Sequence, residues 1–247
     1  MKKYIYSILL ICFMLILWEF IARMVGVSFI LPSPTQVGQK LFQLRDILFI
    51  QHLPITLAII SIGLAISLIL GVIIAIIMHH SKVIEQALYP LLITSQTIPI
   101  IALAPIFVLW FGYTIWSKVV VTIVITFFPI AISSFDGLRS TDKELKELFQ
   151  TFGLSKKQIF IKLEVPSALP SFFSGLKVAV PMSVIGAAIG EWLGAQSGLG
   201  YFSRRMMTQF DGAGVFAPIV LLSIIGIALF IIVLLVEKYF LKWRKIK

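Results

Sequence analysis

Long apolar runs separated by short polar breaks dominate the chain. A helix needs roughly 20 apolar residues to cross the hydrocarbon core of a bilayer, and six runs reach that scale, at 4–25, 54–78, 87–111, 117–135, 171–194 and 215–237. The pattern predicts an all-α integral membrane protein, one membrane domain over 1–247 with six transmembrane helices. The first run follows Lys2 and Lys3 and continues through Trp18 and Phe20 without an Ala-x-Ala-like cleavage site, so it reads as a retained anchor.

Prolines mark the central spans. Pro90, Pro99 and Pro105 interrupt the third run, and Pro129, Pro181 and Pro218 each fall in another. An interior proline frees a carbonyl that lipid cannot satisfy, so such a helix is either wrapped by neighbours or lines a water-filled path. Pro99, Pro105 and Pro181 are therefore candidates for a translocation path, with ordinary kinking as the alternative.

Composition agrees with the pattern. Hydrophobic residues make up 59% of the chain and charged residues 13%, with mean hydropathy +1.03, which excludes an ordinary soluble domain. The 21 basic against 11 acidic side chains point to topology rather than to nucleic acid. The segment 136–170 holds Arg139, Lys143, Lys146, Lys156, Lys157 and Lys162, and the tail holds Lys238, Lys242, Arg244, Lys245 and Lys247; the opposite loops hold Arg23, Lys40, Arg45, Lys118, Arg204 and Arg205. The positive-inside rule then predicts both termini and the 136–170 loop in the cytoplasm. Cys12 is the only cysteine, and His52, His79 and His80 sit at edges with no carboxylate motif beside them, so neither metal nor cofactor is expected.

The 136–170 loop carries its own start and stop signals. Thr141 with Glu144 reads as a capping box, and Leu145, Leu148, Phe149 and Phe152 then fall on one helical face. Gly153 supplies a left-handed stop. A second box, Ser155 with Gln158, starts a short helix that Pro166 is expected to end. Helices this short are marginal in water, so the apolar face needs cover from the membrane surface, from the chain's own bundle or from another protein.

Here the chain resembles a known family. Glu147-Leu148-Phe149, then Gly153, then Leu163-Glu164-Val165-Pro166 resembles the loop signature of binding-protein-dependent ABC importer permeases, with Leu148 and Phe149 in place of two alanines. Leu31-Pro32-Ser33-Pro34, the stretch from Ile98-Pro99 to Trp110-Phe111-Gly112, and Glu191-Trp192-Leu193-Gly194 through Gly198-Leu199-Gly200-Tyr201 extend the likeness to the branch serving sulfonates, taurine, nitrate and pyrimidine precursors of thiamine such as hydroxymethylpyrimidine. Where relatives often carry arginines, this chain has Ala58 to Ile60 and Gln96-Thr97. The resemblance implies a homodimeric pore in the cell membrane, a cytoplasmic ATPase dimer and an extracytoplasmic substrate-binding protein. Leu145, Glu147, Leu148, Phe149, Phe152, Gly153 and Pro166 become the ATPase-coupling residues. No phosphate-binding loop occurs in the chain, so hydrolysis is assigned to the partner and the chain is expected to be no enzyme.

Glu191 is the acid that needs an explanation, because a carboxylate at helix depth faces protein or water. It reads either as a gate residue or as an interfacial acid beside Trp192, and Glu19 beside Trp18 reads as interfacial. Gly186, Gly190 and Gly194 form a small-residue ladder for helix packing, and Arg204, Arg205, Gln209 and Asp211 form an outward polar surface. Competing classes are an ion-coupled secondary transporter and a membrane enzyme, which lack an internal repeat and a metal or nucleophile cluster, and a scaffold, which the loop chemistry leaves open.

Overall fold

The computed structural model describes residues 2–242. Met1 and residues 243–247 lie outside the described residues, including Arg244, Lys245 and Lys247 of the basic tail, and of Lys2 and Lys3 only the backbone is described. The described elements are helices: α1 (Lys2–Val25), α2 (Pro34–Gln43), α3 (Leu53–His80), α4 (Lys82–Ser95), α5 (Ile100–Phe111), α6 (Ile115–Arg139), α7 (Lys143–Thr151), α8 (Lys156–Ile159), α9 (Val165–Gly194), α10 (Leu199–Thr208) and α11 (Gly212–Phe240).

Five stretches are long and apolar enough to cross a bilayer, Ile5–Val25, Ile47–His80, Ile115–Arg139, Lys156–Gly194 and Gly212–Phe240. The run expected as a single span at 87–111 is two helices, α4 and α5, bent by 102°. Of its three prolines only Pro99 breaks the chain. Pro90 and Pro105 sit inside helices, whereas Ile98, preceding Pro99, is driven out of helical geometry by the ring. The amides of Gln96, Thr97 and Ile98 bond three residues back, and Pro99, in extended conformation, opens α5.

Pro166, expected to end a helix, instead lies at the start of one, and Pro54 stands in the same way. A wide π-type turn, Ile47–His52, precedes Pro54 and runs into α3, while a second, Phe160–Glu164, precedes Pro166 and runs into α9. In each the next amide bonds five residues back, Leu53 to Leu48 and Val165 to Phe160. The extra residue in the turn makes room for the proline ring that would otherwise clash with the preceding turn. Pro166 therefore lies in the first turn of α9 and does not end the α8 segment, so the 136–170 loop merges into the span.

The bundle is built on α3, α6 and α9. α6 lies close to both because glycines occupy the crossing points. A Cβ on Gly63 or Gly71 would strike Thr122 or Ile130, and one on Gly175, Gly186 or Gly190 would strike Pro129 and Ser133, Thr122 or Lys118. The 186–190–194 ladder is thus used within the subunit, its last member facing Val108 of α5. At this separation Ser67 Oγ and Thr126 Oγ1 reach each other at 2.6 Å in the core. Lys177, on α9, meets Glu237 of α11 at 2.9 Å, so neither charge faces lipid alone.

Outside this core α1 is covered by few contacts. Ala22 is buried, but most residues from Ile5 to Leu17 are exposed. Its anchor is Glu19, which pairs with Arg23 and accepts from both the amide and the hydroxyl of Thr35 in the first turn of α2. Asp211 caps α11 through the Gly214 amide and pairs with Lys40 at 2.6 Å. Burial pushes its pKa up, but the Lys40 ammonium and the Gly214 N–H outweigh that and hold the carboxyl below the usual aspartate range. The cap therefore stabilises above the ordinary aspartate pKa and is lost as pH falls through the depressed value.

Close packing at Gly175 is testable against an open glycine. Its added Cβ would lie 2.5 Å from the Pro129 carbonyl, whereas one on Gly38 in α2 would meet nothing within 4 Å. Gly175→Ala is expected to destabilise by about 1–3 kcal/mol. Gly38→Ala is expected to be neutral or to stabilise by up to roughly 1 kcal/mol. Thermal unfolding in detergent measures both, and equal midpoints would remove the close crossing.

Candidate functional site

Polar side chains gather at opposite ends of α3, some 35 Å apart at about 1.5 Å rise per residue. At the first end they serve the start of α10. A helix start leaves amides without partners, and Gly198, the residue before α10, has no side chain to cap them. Three other elements do so. The Gly198 N–H donates to His52 Nδ1 at 3.0 Å, the Leu199 N–H to Thr56 Oγ1 at 2.9 Å and the Gly200 N–H to Glu191 Oε2 at 2.6 Å. Thr56 in turn donates its hydroxyl proton to Glu191 Oε1 at 2.7 Å. Because His52 Nδ1 accepts, the ring carries no proton there.

Glu191 is 0% exposed. Sequence reading left it between a gate and an interfacial residue; the structure buries it inside the subunit as an acceptor that seats α10. Gly198, at φ +112°, and Gly200 both press against its carboxylate, which is why the turn is glycine-rich. Lys118, expected in a polar loop, is buried beside Gly190 and donates to the carbonyls of Tyr113 and Thr114 at 2.8 Å each. Arg204 donates to the Trp192 carbonyl, so of the expected outward surface Arg204 and Asp211 hold the fold while Arg205 and Gln209 remain exposed. His52, Thr56 and Lys118 escaped the sequence reading. The i, i+4 spacing of His52 and Thr56 was the available signal.

The second end carries α7. Its cap is Asp142, whose Oδ1 accepts from the Glu144 amide at 2.8 Å, and not Thr141. Thr141 is buried at the end of α6 and gives its hydroxyl to the Leu138 carbonyl, which takes it out of competition for the cap. The second box is formed as expected, Ser155 and Gln158 exchanging bonds at 3.3 and 2.8 Å. Gly153 stands at φ +77° with nothing within 4 Å of a would-be Cβ, the left-handed stop that the sequence indicates.

α7 turns its apolar stripe outward. Leu145, Leu148 and Phe152 are 43, 47 and 73% exposed, and Glu147 is exposed on the same helix. Only Lys146 and Phe149 within α7 are partly covered. Phe149 is thus the inner edge of the stripe rather than its centre. Beneath it, Lys146 Nζ and His79 Nε2 reach the two oxygens of Glu164 at 2.8 and 2.7 Å, and Arg139 of α6 approaches Glu85 of α4 at 3.4 Å. Sequence reading counted Lys146 among the basic residues of the loop. That Glu164 is the only acid between Glu147 and Glu191 was the signal that it required partners.

The proline candidates are not brought together. Ile98 and Ile100, on either side of Pro99, line a cleft of about 350 Å³ at the elbow of α4 and α5, together with Ser95, Gln96, Phe128 and Met182 among others. Pro181 lines a separate apolar groove against α11, and Pro105 is exposed on α5.

Removing the α10 acceptor gives a direct check. Glu191→Ala leaves the Gly200 amide without a partner, at about 1–3 kcal/mol, and leaves the Thr56 hydroxyl only its longer bond to the His52 carbonyl at 3.3 Å. Glu191→Gln keeps one acceptor oxygen and is expected to cost about half as much. Melting in detergent reads both, and a wild-type midpoint for Glu191→Ala would show that the carboxylate does not hold α10.

Residues 67–242 match the family described as binding-protein-dependent transport system inner membrane component. The chain is 58% identical over 232 residues to the formylaminopyrimidine transport permease protein ThiX of Halalkalibacterium halodurans, covering 94% of this chain and 93% of that protein. It is 34% identical over 233 residues to the riboflavin transport system permease protein RibX of Chloroflexus aurantiacus, with 94% and 87% covered. It is 31% identical over 243 residues to the putative aliphatic sulfonates transport permease protein SsuC of Bacillus subtilis, with 96% and 87% covered. With apolar helices able to cross the membrane several times and near end-to-end likeness to such permeases, the chain belongs to the binding-protein-dependent transport system inner membrane component family, the multi-pass permeases of ABC importers.

Proposed function

We propose that this chain is the permease of an ATP-driven importer whose ATPase docks on α7, and that the solute is a pyrimidine precursor of thiamine. The observation that carries the docking is the exposed stripe of Leu145, Leu148 and Phe152 on a helix held clear of the bundle. An amphipathic helix offering anchors at i, i+3 and i+7 fits a hydrophobic groove on a partner, and Glu147 at its rim adds specificity. On this reading α7 and both termini are cytoplasmic, in keeping with the basic residues of 136–170 and the tail. The α10 end, with Arg205 and Gln209 exposed, then faces outward, where a substrate-binding protein delivers the solute. Two copies of the chain enclose the path.

The pyrimidine reading rests on the 58% identity to a formylaminopyrimidine permease, and the elbow cleft is compatible with it. Ser95 and Gln96 offer hydrogen bonds and Phe128 an aromatic face, all uncharged, which suits a neutral heteroaromatic solute better than an anion. Pro99 shapes this cleft by setting the elbow. The alternative solute class is sulfonate, taurine or nitrate.

Docking is tested by co-expressing the chain with its cognate ATPase and recovering the complex in mild detergent. Leu148→Asp and Phe152→Asp place a charge in the stripe and are expected to weaken binding by about 2 kcal/mol, roughly thirtyfold in Kd. Membrane insertion is expected to be unchanged, since neither side chain touches the bundle core. Wild-type ATPase recovery with both variants would contradict the docking. Uptake of formylaminopyrimidine with no competition from taurine would support the solute assignment, and the reverse would oppose it.

A further inference from the structure

α7 is joined to its neighbours in sequence, α6 and α8, through the backbone, but nothing in the chain links it directly to α3. Glu164 does so through space. Its Oε1 takes Lys146 Nζ of α7 at 2.8 Å and its Oε2 takes His79 Nε2 of α3 at 2.7 Å, while its own backbone lies in the wide turn that runs into α9. A carboxylate only accepts, so His79 carries its proton on Nε2. The three side chains are 24, 15 and 12% exposed for Lys146, His79 and Glu164, dry enough for charge-assisted bonds to be strong and directional. Lys146 projects from the covered side of α7, leaving the apolar stripe free.

We infer that Glu164 is the positioning residue through which displacement of α7 is passed to α3 and α9. This rests on the reading of α7 as the ATPase dock. Without the bridge α7 stays docked but moves against α3, because no other ion pair or side-chain hydrogen bond among the described residues joins the two. With it, α7, the end of α3 and the base of α9 move as one body. The span that carries His79 at one end carries Thr56 near the other, so a push on α7 reaches the seat of α10 along a single helix.

The test uses the complete complex with the ATPase, carrying spin labels at Thr151 on α7 and Ser81 after α3 in a chain with Cys12 replaced by alanine. Inter-label distance is measured without nucleotide and with ATP trapped. In the wild-type sequence the distance is expected to stay constant. In Glu164→Gln and in Lys146→Met it is expected to shift by several ångströms or broaden on ATP trapping, with ATPase recovery retained. Exchanging the charges, Lys146→Glu with Glu164→Lys, is expected to restore the constant distance, with His79 moving its proton to Nδ1 so that Nε2 accepts from the new ammonium, a rescue that a purely structural loss would not give. A nucleotide-dependent shift already present in wild type, variants that stay constant, or loss of the ATPase from Glu164→Gln would each overturn the proposal. Failure to recover ATPase with wild type would instead overturn the docking reading, and this one with it.

Discussion

Backbone amides and carbonyls inside a membrane have no water to turn to, so each must find a partner within the protein. The fold is shaped around that constraint where it departs from straight helices. At Pro54 and Pro166 the chain widens a turn and keeps its helix running. At Gln96–Ile98, where Pro99 prevents a continuous span, the amides bond within a tight turn. At the start of α10, His52, Thr56 and Glu191 supply acceptors for three consecutive amides. The cost of burying Glu191 is offset because its two oxygens each receive a proton donor at short distance.

The two ends of the bundle differ in how completely they are finished. Around α10 the polar groups converge on each other and Leu199, Phe202 and Met206 are buried, although Met207 and Phe210 stay exposed. Around α7 the polar groups also converge, Lys146 and His79 on Glu164, but the apolar stripe is left bare. A helix of nine residues is too short to hold itself together in water; the cap at Asp142, the stop at Gly153 and the tether to Glu164 hold it, which frees its outer face for a partner. Stability and docking are thereby assigned to opposite sides of one short helix.

Much of this was legible in the sequence, because hydrophobic length, capping residues and glycine stops are local signals. The apolar runs, the Ser155–Gln158 box and Gly153 follow from them directly. What escaped depends on contacts between residues far apart in the chain. Glu191 stands 135 residues from Thr56, and Glu164 stands 85 from His79, so neither partner is visible in a local window. Thr141 failed as a cap because burial at the end of α6 claimed its hydroxyl first. Pro166 failed as a stop because the preceding turn widened.

The central claim is that the α7 stripe faces the cytoplasm and is covered by the ATPase. It is tested most directly with Leu148→Cys in a chain whose Cys12 is replaced by alanine, labelled with a membrane-impermeant maleimide. Inside-out vesicles without the ATPase should label strongly, right-side-out vesicles should not, and adding the ATPase should protect the site. Labelling from the right-side-out face, or equal labelling with and without the ATPase, would contradict it.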